Sequence, residues 1–329
     1  MSKKMIGIEI GAEALKLAVV RNGKIVKMAV ETMPAHLIAD GRVTSSGAMV
    51  RFLKEVMRDY KIRGKECAFV IPPQMVISQK LTIPQMTEAE LKLNLPFEFK
   101  DYVGRNTDDY EFDYVVNSIH DQMMDLYAVA VRKQHLEDFY QIFKQAGMNM
   151  KVAIPAEMAW LNVINNAPNT PKSLCIIDIG HEKTRINIYK NNRFIMGKNI
   201  EYGGQLFDEA IAMEQGVDIY VAHNRKETNL NHVQSLESLK QPFGTVAMEI
   251  MKTMTFYSYS DGVDAEEIND MYLCGGSANI EILRTAIVKA TDMVPHHIAK
   301  LLMVDDDQAA VAIRCGLAAG AAMQNTKEA

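Results

Sequence analysis

At 329 residues the chain exceeds a single minimal core, and two domains of about 100–200 residues each are expected. Hydrophobic residues make up 48% and charged residues 23%, the balance of an ordinary soluble globular protein. The net charge of −5, with Lys and Arg scattered through both halves, argues against a general nucleic-acid binder, because no basic stripe is available to neutralise phosphates.

The chain opens Met1-Ser2-Lys3-Lys4, basic but followed by a short apolar run that Glu9 interrupts, which is not the pattern of a signal peptide. Residues 5–29 then read as three strands. Met-Ile-Gly-Ile-Glu-Ile-Gly ends at Gly11, Leu15 to Val20 follows, and the turn Asn22-Gly23 leads into Lys24 to Ala29. Asn-Gly between apolar runs predicts a hairpin, since both turn residues must take positive φ. A helix is expected over Gly47 to Tyr60, with Val50, Leu53, Val56, Met57 and Tyr60 on one face. The strand Cys67 to Ile71 stops at Pro72-Pro73.

A segment of different character, 79–152, is expected to form a small α+β insertion. Thr87-Glu88-Ala89-Glu90 is a capping box that starts a helix. Strands are expected at Phe112–Val116 and Leu126–Val131. An amphipathic helix with Leu136, Phe139, Tyr140 and Phe143 then closes at Gly147.

Residues 174–199 repeat the opening pattern. Leu-Cys-Ile-Ile-Asp-Ile-Gly ends at Gly180, Thr184 to Tyr189 follows, and Asn191-Asn192 turns into Arg193 to Asn199. Two such units in one register, 169 residues apart, point to a duplicated domain. Helices are expected at Leu206 to Met213 and Gly244 to Tyr259. The strand Tyr272 to Cys274 runs through Gly275-Gly276-Ser277 into a helix from Ile280 to Ala290. Ala309 to Met323 is too short and too interrupted by Arg314 for a membrane span and reads as a buried helix. Cys67, Cys175, Cys274 and Cys315 form no CxxC pair, which suits a reduced cytosolic compartment.

A short turn after a strand, with glycine at its start, aims backbone N–H groups at phosphate oxygens. The acid two residues earlier, Glu9 or Asp178, can hold waters around a Mg²⁺. Glycines 275 and 276 would admit a flat adenine ring. These residues are similar to the phosphate-1, phosphate-2 and adenosine motifs of the actin, Hsp70 and sugar-kinase superfamily. The match to the PilM family of type IV pilus assembly proteins extends further. Met5–Val20, Gln79–Tyr102, Asp113-Tyr114, Ala128-Val129-Ala130, Ala146-Gly147, Tyr202-Gly203-Gly204 and Ala312–Gly320 all resemble its segments.

The resemblance implies an α/β, actin-like ATPase fold of two ribonuclease H-like lobes. The expected division is 1–78 with 153–172 for the first lobe, 79–152 for an inserted partner-binding subdomain, and 173–329 for the second lobe. It implies a cytoplasmic adaptor, at most a weak ATPase, peripheral to the inner membrane through partners rather than by direct insertion. The implied partners are the N-terminal cytoplasmic tail of a PilN-like membrane protein, other pilus platform proteins and a second copy of the chain. The implied cofactors are ATP or ADP and Mg²⁺. Phosphates would meet Gly11, Ala12, Glu13, Lys16, Gly180, His181, Lys183 and Thr184. Adenosine would meet Lys226, Gly275, Gly276 and Ser277, and the metal Glu9 and Asp178.

The chain departs from the superfamily pattern at Ala12-Glu13-Ala14 and His181-Glu182-Lys183, where small residues are usual; Lys183 could offset Glu182. His223 stands where the adenosine-side Glu-x-x-Lys has its acid. Two other readings compete. A kinase of the same fold needs a general base, and none stands out beyond the two metal acids. A division protein like FtsA ends in an amphipathic helix, whereas Gln-Asn-Thr-Lys-Glu-Ala after Met323 is short and polar. His296-His297 and Asp305-Asp306-Asp307 read as ordinary surface features, and Trp160 as core.

Overall fold

The computed structural model describes residues 4–39, 41–260 and 268–323. Met1-Ser2-Lys3 and the tail after Met323 lie outside the described residues. The chain forms two compact units. The first ends at Asn162 and resumes at Leu317, and the second runs Val163–Gly316.

In the first unit, β1 (Lys4–Ile10), β2 (Ala14–Arg21) and β3 (Lys24–Thr32) form an antiparallel meander. Asn22 and Gly23 have φ of 52° and 75°, the double positive φ that the hairpin requires. A small hairpin of β4 (Ile38–Ala39) and β5 (Arg42–Val43) follows. The helix Ser46–Asp59 starts where the Ser45 hydroxyl accepts from the Ala48 amide. It buries Met49, Leu53 and Val56 against the sheet. The chain then returns as β6 (Glu66–Val70), parallel to β1.

Three long strands make the inserted sheet: β7 (Val76–Pro84), β8 (Tyr110–His120) and β9 (Met123–Arg132), in the order β7-β9-β8. The helix Glu88–Glu98 carries the expected capping box. The Glu90 amide donates to the Thr87 hydroxyl, and the Thr87 amide to the Glu90 carboxylate. Leu91 and Leu95 are buried against this sheet.

The insertion is narrower than the expected 79–152. The helix Lys133–Gln145 and β10 (Asn149–Ile154) belong to the main sheet, where β10 pairs with β6 in parallel. Phe139 and Phe143 place their ring centroids 4.3 Å and 5.2 Å from that of Phe69 on β6. The sheet order β10-β6-β1-β2-β3 needs both pieces.

The second unit repeats the topology. β11 (Ser173–Ile179), β12 (Thr184–Lys190) and β13 (Arg193–Ile200) form the meander. Asn191 and Asn192 turn with φ of 50° and 58°. β14 (Asp270–Cys274) and β15 (His296–His297) extend it in parallel, giving β13-β12-β11-β14-β15. Read from the meander outwards, this is the first sheet again. Helices Gly204–Gln215, Ile219–Thr228, Lys240–Ser260 and Glu281–Thr291 accompany it.

The boundaries between units differ from the expected 172/173 and 329. The first falls within the helix Ala156–Asn166, which buries Trp160. The last turns of the helix Asp306–Ala322 return to the first unit, and a Cβ placed on Gly7 of β1 would overlap the Ala318 carbonyl. That helix buries Ala312, Cys315, Ala318 and Ala319, and all four cysteines are buried and free. Among the described residues no helix is long and apolar enough to cross a membrane.

Candidate functional site: two matched turns and a glycine-lined cradle

The repeated hairpins carry the same turn. After β1 the Gly11 amide donates to the Ala14 carbonyl at 3.0 Å, and after β11 the Gly180 amide donates to the Lys183 carbonyl at 3.0 Å. Each bond holds the strand end closed, so Ala12 and Glu13 in one unit, and His181 and Glu182 in the other, form the tip. Side chains are excluded at the pivots. A Cβ on Gly11 would stand 3.1 Å from the Ala14 oxygen, and one on Gly180 would stand 2.9 Å from the Lys183 oxygen.

The acid before each turn faces a cation across the hairpin. Glu9 pairs in register with Lys16, with Oε1 2.6 Å from Nζ. Asp178 pairs in register with Arg185, with Oδ2 3.8 Å from Nη1. Both arrangements follow from strand geometry, because residues directly opposite in an antiparallel pair share a face.

In the second unit, the turn is built into a larger joint. Thr184 is fully buried, and its hydroxyl donates to the Tyr202 carbonyl at 2.8 Å. Gly203 and Gly204 then pass directly against the turn. The Gly204 and Gln205 amides donate to the carbonyls of Gly180 and His181, each at 2.8 Å. A Cβ on Gly203 would stand 2.5 Å from the His181 oxygen, so glycine is required there for a close approach. Lys183 does not offset Glu182 in this arrangement. It pairs with Glu201 at 2.9 Å, on the exposed side of the hairpin.

The adenosine-side residues meet the same joint. Gly275 has φ of 94°, and a Cβ on it would overlap the Ile179 carbonyl and stand 2.7 Å from Asp178 Oδ1. Its neighbour Gly276 is open. The nearest atom to a Cβ placed there is Glu227 Oε1, 3.7 Å away. Ser277 is 3% exposed, with its Oγ 2.9 Å from where a Cβ on Gly204 would sit.

Lys226 lies beneath this joint at 2% exposure. Its ammonium donates to the Gly204 carbonyl at 2.9 Å and stands 2.7 Å from Asp208 Oδ1. That contact is an ion pair without hydrogen-bond alignment, since Oδ1 has no aligned donor. The other oxygen, Oδ2, is 3.0 Å from His223 Nδ1 and 3.8 Å from His181 Nδ1. Asp208 is therefore shared between Lys226 and the two histidines. Its hydrogen bond to His223 raises the imidazole above its ordinary pKa, against the opposing effect of burial.

Asp208 was not among the expected site residues. Its sequence signal is faint: an acid four residues into the helix that begins at Gly204, one turn past the glycine pair. Nothing in the sequence says that this turn points at Lys226.

Of the three glycines at this joint, Gly180 and Gly203 are closed by the Lys183 and His181 carbonyls, and Gly276 leaves open space that a ligand could approach. The acids fit a hydrated Mg²⁺ less well. Glu9 and Asp178 each already face a fixed cation.

The duplicated β-meander-plus-two-parallel-strands topology carries a three-stranded insertion in its first copy. The family described as type IV pilus assembly protein PilM matches residues 7–306. The chain belongs to the PilM family.

Solved structures agree on the fold. The PilM-PilN type IV pilus biogenesis complex matches with a TM-score of 0.82 at 18% identity, covering 97% of each chain. The ethanolamine utilization protein EutJ from Carboxydothermus hydrogenoformans follows at 0.62 and 12% identity, over 96% of this chain and 89% of that one. MreB 5 of Spiroplasma citri bound to AMPPNP matches at 0.53 and 12% identity, over 94% of each. The fold is thus actin-like, and no curated protein sequence matches the chain.

Proposed function

We propose that this PilM-family chain is an adaptor of type IV pilus assembly. It captures the cytoplasmic N-terminal tail of a PilN-like membrane protein through the inserted sheet and binds ATP or ADP at its glycine-lined joint. The carrying observation is the family match over residues 7–306, which includes the whole insertion. The solved relative of the same fold is itself a complex with PilN. The tail would hold the adaptor at the inner face of the membrane. Other platform proteins and a second copy would be reached from the same place.

The roles within the joint follow from burial. Gly276 leaves room for a flat ring, while Gly180 and Gly203 let the turn and the following helix start pack backbone to backbone. Lys226 acts from below by holding the Gly204 carbonyl, Ser277 packs against the same glycine, Lys16 lies beside the first turn and His181 forms part of the second.

The insertion enters and leaves at one point, because Val76 and Val131 are direct partners on β7 and β9. Residues 77–130 can therefore be replaced by a short Gly-Ser linker without breaking the main sheet. Fluorescence anisotropy with a labelled PilN-type tail peptide should show saturable binding to the full chain. The excised variant, shown folded by circular dichroism, should lose at least about tenfold in affinity, roughly 1.4 kcal/mol. Equal binding by both proteins would remove the insertion from the partner site.

A further inference from the structure

Cations that lie apart in the sequence of the first unit converge at one end of its main sheet. Lys4 opens β1 and pairs in register with Arg21 at the end of β2, which pairs in turn with Lys24 at the start of β3. β6 is parallel to β1, so it starts at that same end. Lys65 immediately precedes it, and a Cβ on Gly64 would stand 3.9 Å from Lys4 Cε. The helix Ser46–Asp59 ends shortly before β6, which puts Lys61 and Arg63 in the connection between them. Arg21, Lys24, Lys61, Arg63 and Lys65 are exposed and Lys4 is half-buried. None of them has an ion-pair partner among the described residues. The acids that flank this connection are Asp59, already paired with Arg58 at 2.8 Å, and Glu66. A chain of net charge −5 thus carries a surplus of positive charge at this pole.

The ends of four neighbouring strands, about 4.8 Å apart, spread these charges over roughly 14 Å. Adjacent strand ends lie within one Debye length, about 8 Å at physiological salt, so the cations act on a charged surface together. Each Lys or Arg held near an anionic leaflet raises partition onto it about fivefold. The composition of the pole favours such a leaflet over nucleic acid. Of the exposed large apolar side chains, only Val26 belongs to the strands and helix that build it, so no exposed aromatic ring offers a base a stacking platform. Strand ends and turns also lack the helix or ribbon that enters a groove. The same shortage of apolar side chains means adsorption to headgroups without insertion.

We propose that this basic pole docks the first unit on the headgroups of an anionic bilayer, a direct contact in addition to the partner tail. The choice of a membrane rests on the adaptor reading given above, in which the tail brings the chain to one. Tail and pole would then act as two linked attachments, so neither has to be strong alone. The experiment below contains no tail peptide. Its failure leaves partner capture standing, and failure of partner capture leaves the pole standing.

The test measures co-sedimentation of the full chain with vesicles of phosphatidylglycerol and phosphatidylethanolamine, against vesicles of phosphatidylcholine alone. Binding is expected to the anionic vesicles only, and it should fall as salt rises. Lys24→Gln, Arg63→Gln and Lys65→Gln combined should lower the partition at least about tenfold. As a control, Arg193→Gln, Lys289→Gln and Lys300→Gln remove as many exposed cations from the second unit. That variant should change the partition by less than about twofold. Amine acetylation of the unmutated chain decides the matter should a variant fail to fold. Anionic vesicles should shield Lys24, Lys61 and Lys65 and leave Lys289 and Lys300 reactive. No binding to anionic vesicles, equal losses in the two variants, or equal shielding of both sets of lysines overturns the proposal. So does tighter binding to a random DNA duplex, which would make the pole a nucleic-acid surface.

Discussion

The charged cluster beneath Gly204 sets the behaviour of single residues in the second unit. Lys226 and Asp208 are both buried, so removing either partner leaves an uncompensated charge, a change that typically costs about 3–5 kcal/mol. Lys226→Met should therefore destabilise the chain by about that amount in urea denaturation. The double variant with Asp208→Asn should recover part of the loss. A cost below about 1 kcal/mol for Lys226→Met would show that water reaches the pair.

His223 adds a pH dependence. Its folded pKa is raised, first by the hydrogen bond to Asp208, so protonation stabilises the fold. The contribution is complete below the ordinary histidine value of about 6.5 and is lost as pH rises through the higher folded value. The denaturation midpoint of the unmutated chain, relative to His223→Gln, should fall as pH rises above the ordinary histidine value of about 6.5. Parallel curves would contradict the assignment. Gly11, Gly180 and Gly275 were legible as backbone sites from their place after apolar strands, whereas Asp208 was not. A carboxylate on a helix face looks like solvated surface until the neighbouring helix is in place.

At the scale of elements, the meanders were readable because turn chemistry is local. Asn22-Gly23 and Asn191-Asn192 accept the positive φ that a two-residue hairpin turn demands, at little steric cost. The capping box at Thr87 was readable for the same reason, and Thr87→Ala should cost about 1 kcal/mol. The helix Lys133–Gln145 shows the limit of local information. Its apolar stripe is equally suited to either sheet, and only the pairing of β10 with β6 assigns Phe139 and Phe143 to the main core. The turn Asp121-Gln122, with φ of 49° and 64°, carries no Gly or Asn to announce the β8–β9 hairpin.

Close packing of elements gives a sharper test. Gly7 on β1 lies under the helix Asp306–Ala322, and a Cβ there would stand 2.6 Å from the Ala318 carbonyl carbon, with the oxygen closer still. Backbone cannot yield as a side chain can. Gly7→Ala should cost about 3 kcal/mol or more and show as a lowered melting temperature. An unchanged melting temperature would mean that the helix can slide away from the strand.

For the whole molecule, the duplication explains how so much of the fold could be read from one sequence. Two copies of a strand–turn–strand unit in one register imply two sheets of one topology, and both sheets have it. What the duplication could not give is the extent of the insertion, since that is where the first unit departs from the second. The insertion spans β7 to β9 and adds an independent three-stranded sheet with its own small core around Leu95, Phe99 and Tyr110. Under the proposed function, that extra sheet is the surface offered to the partner.

Hydrogen exchange of the full chain, with and without a saturating PilN-type tail peptide, tests the adaptor reading most directly. The account predicts new amide protection concentrated in residues 76–132, the strands and helix of the insertion and the sheet edge beside it. Saturation with no new protection there, or protection confined to residues 163–316, would contradict it.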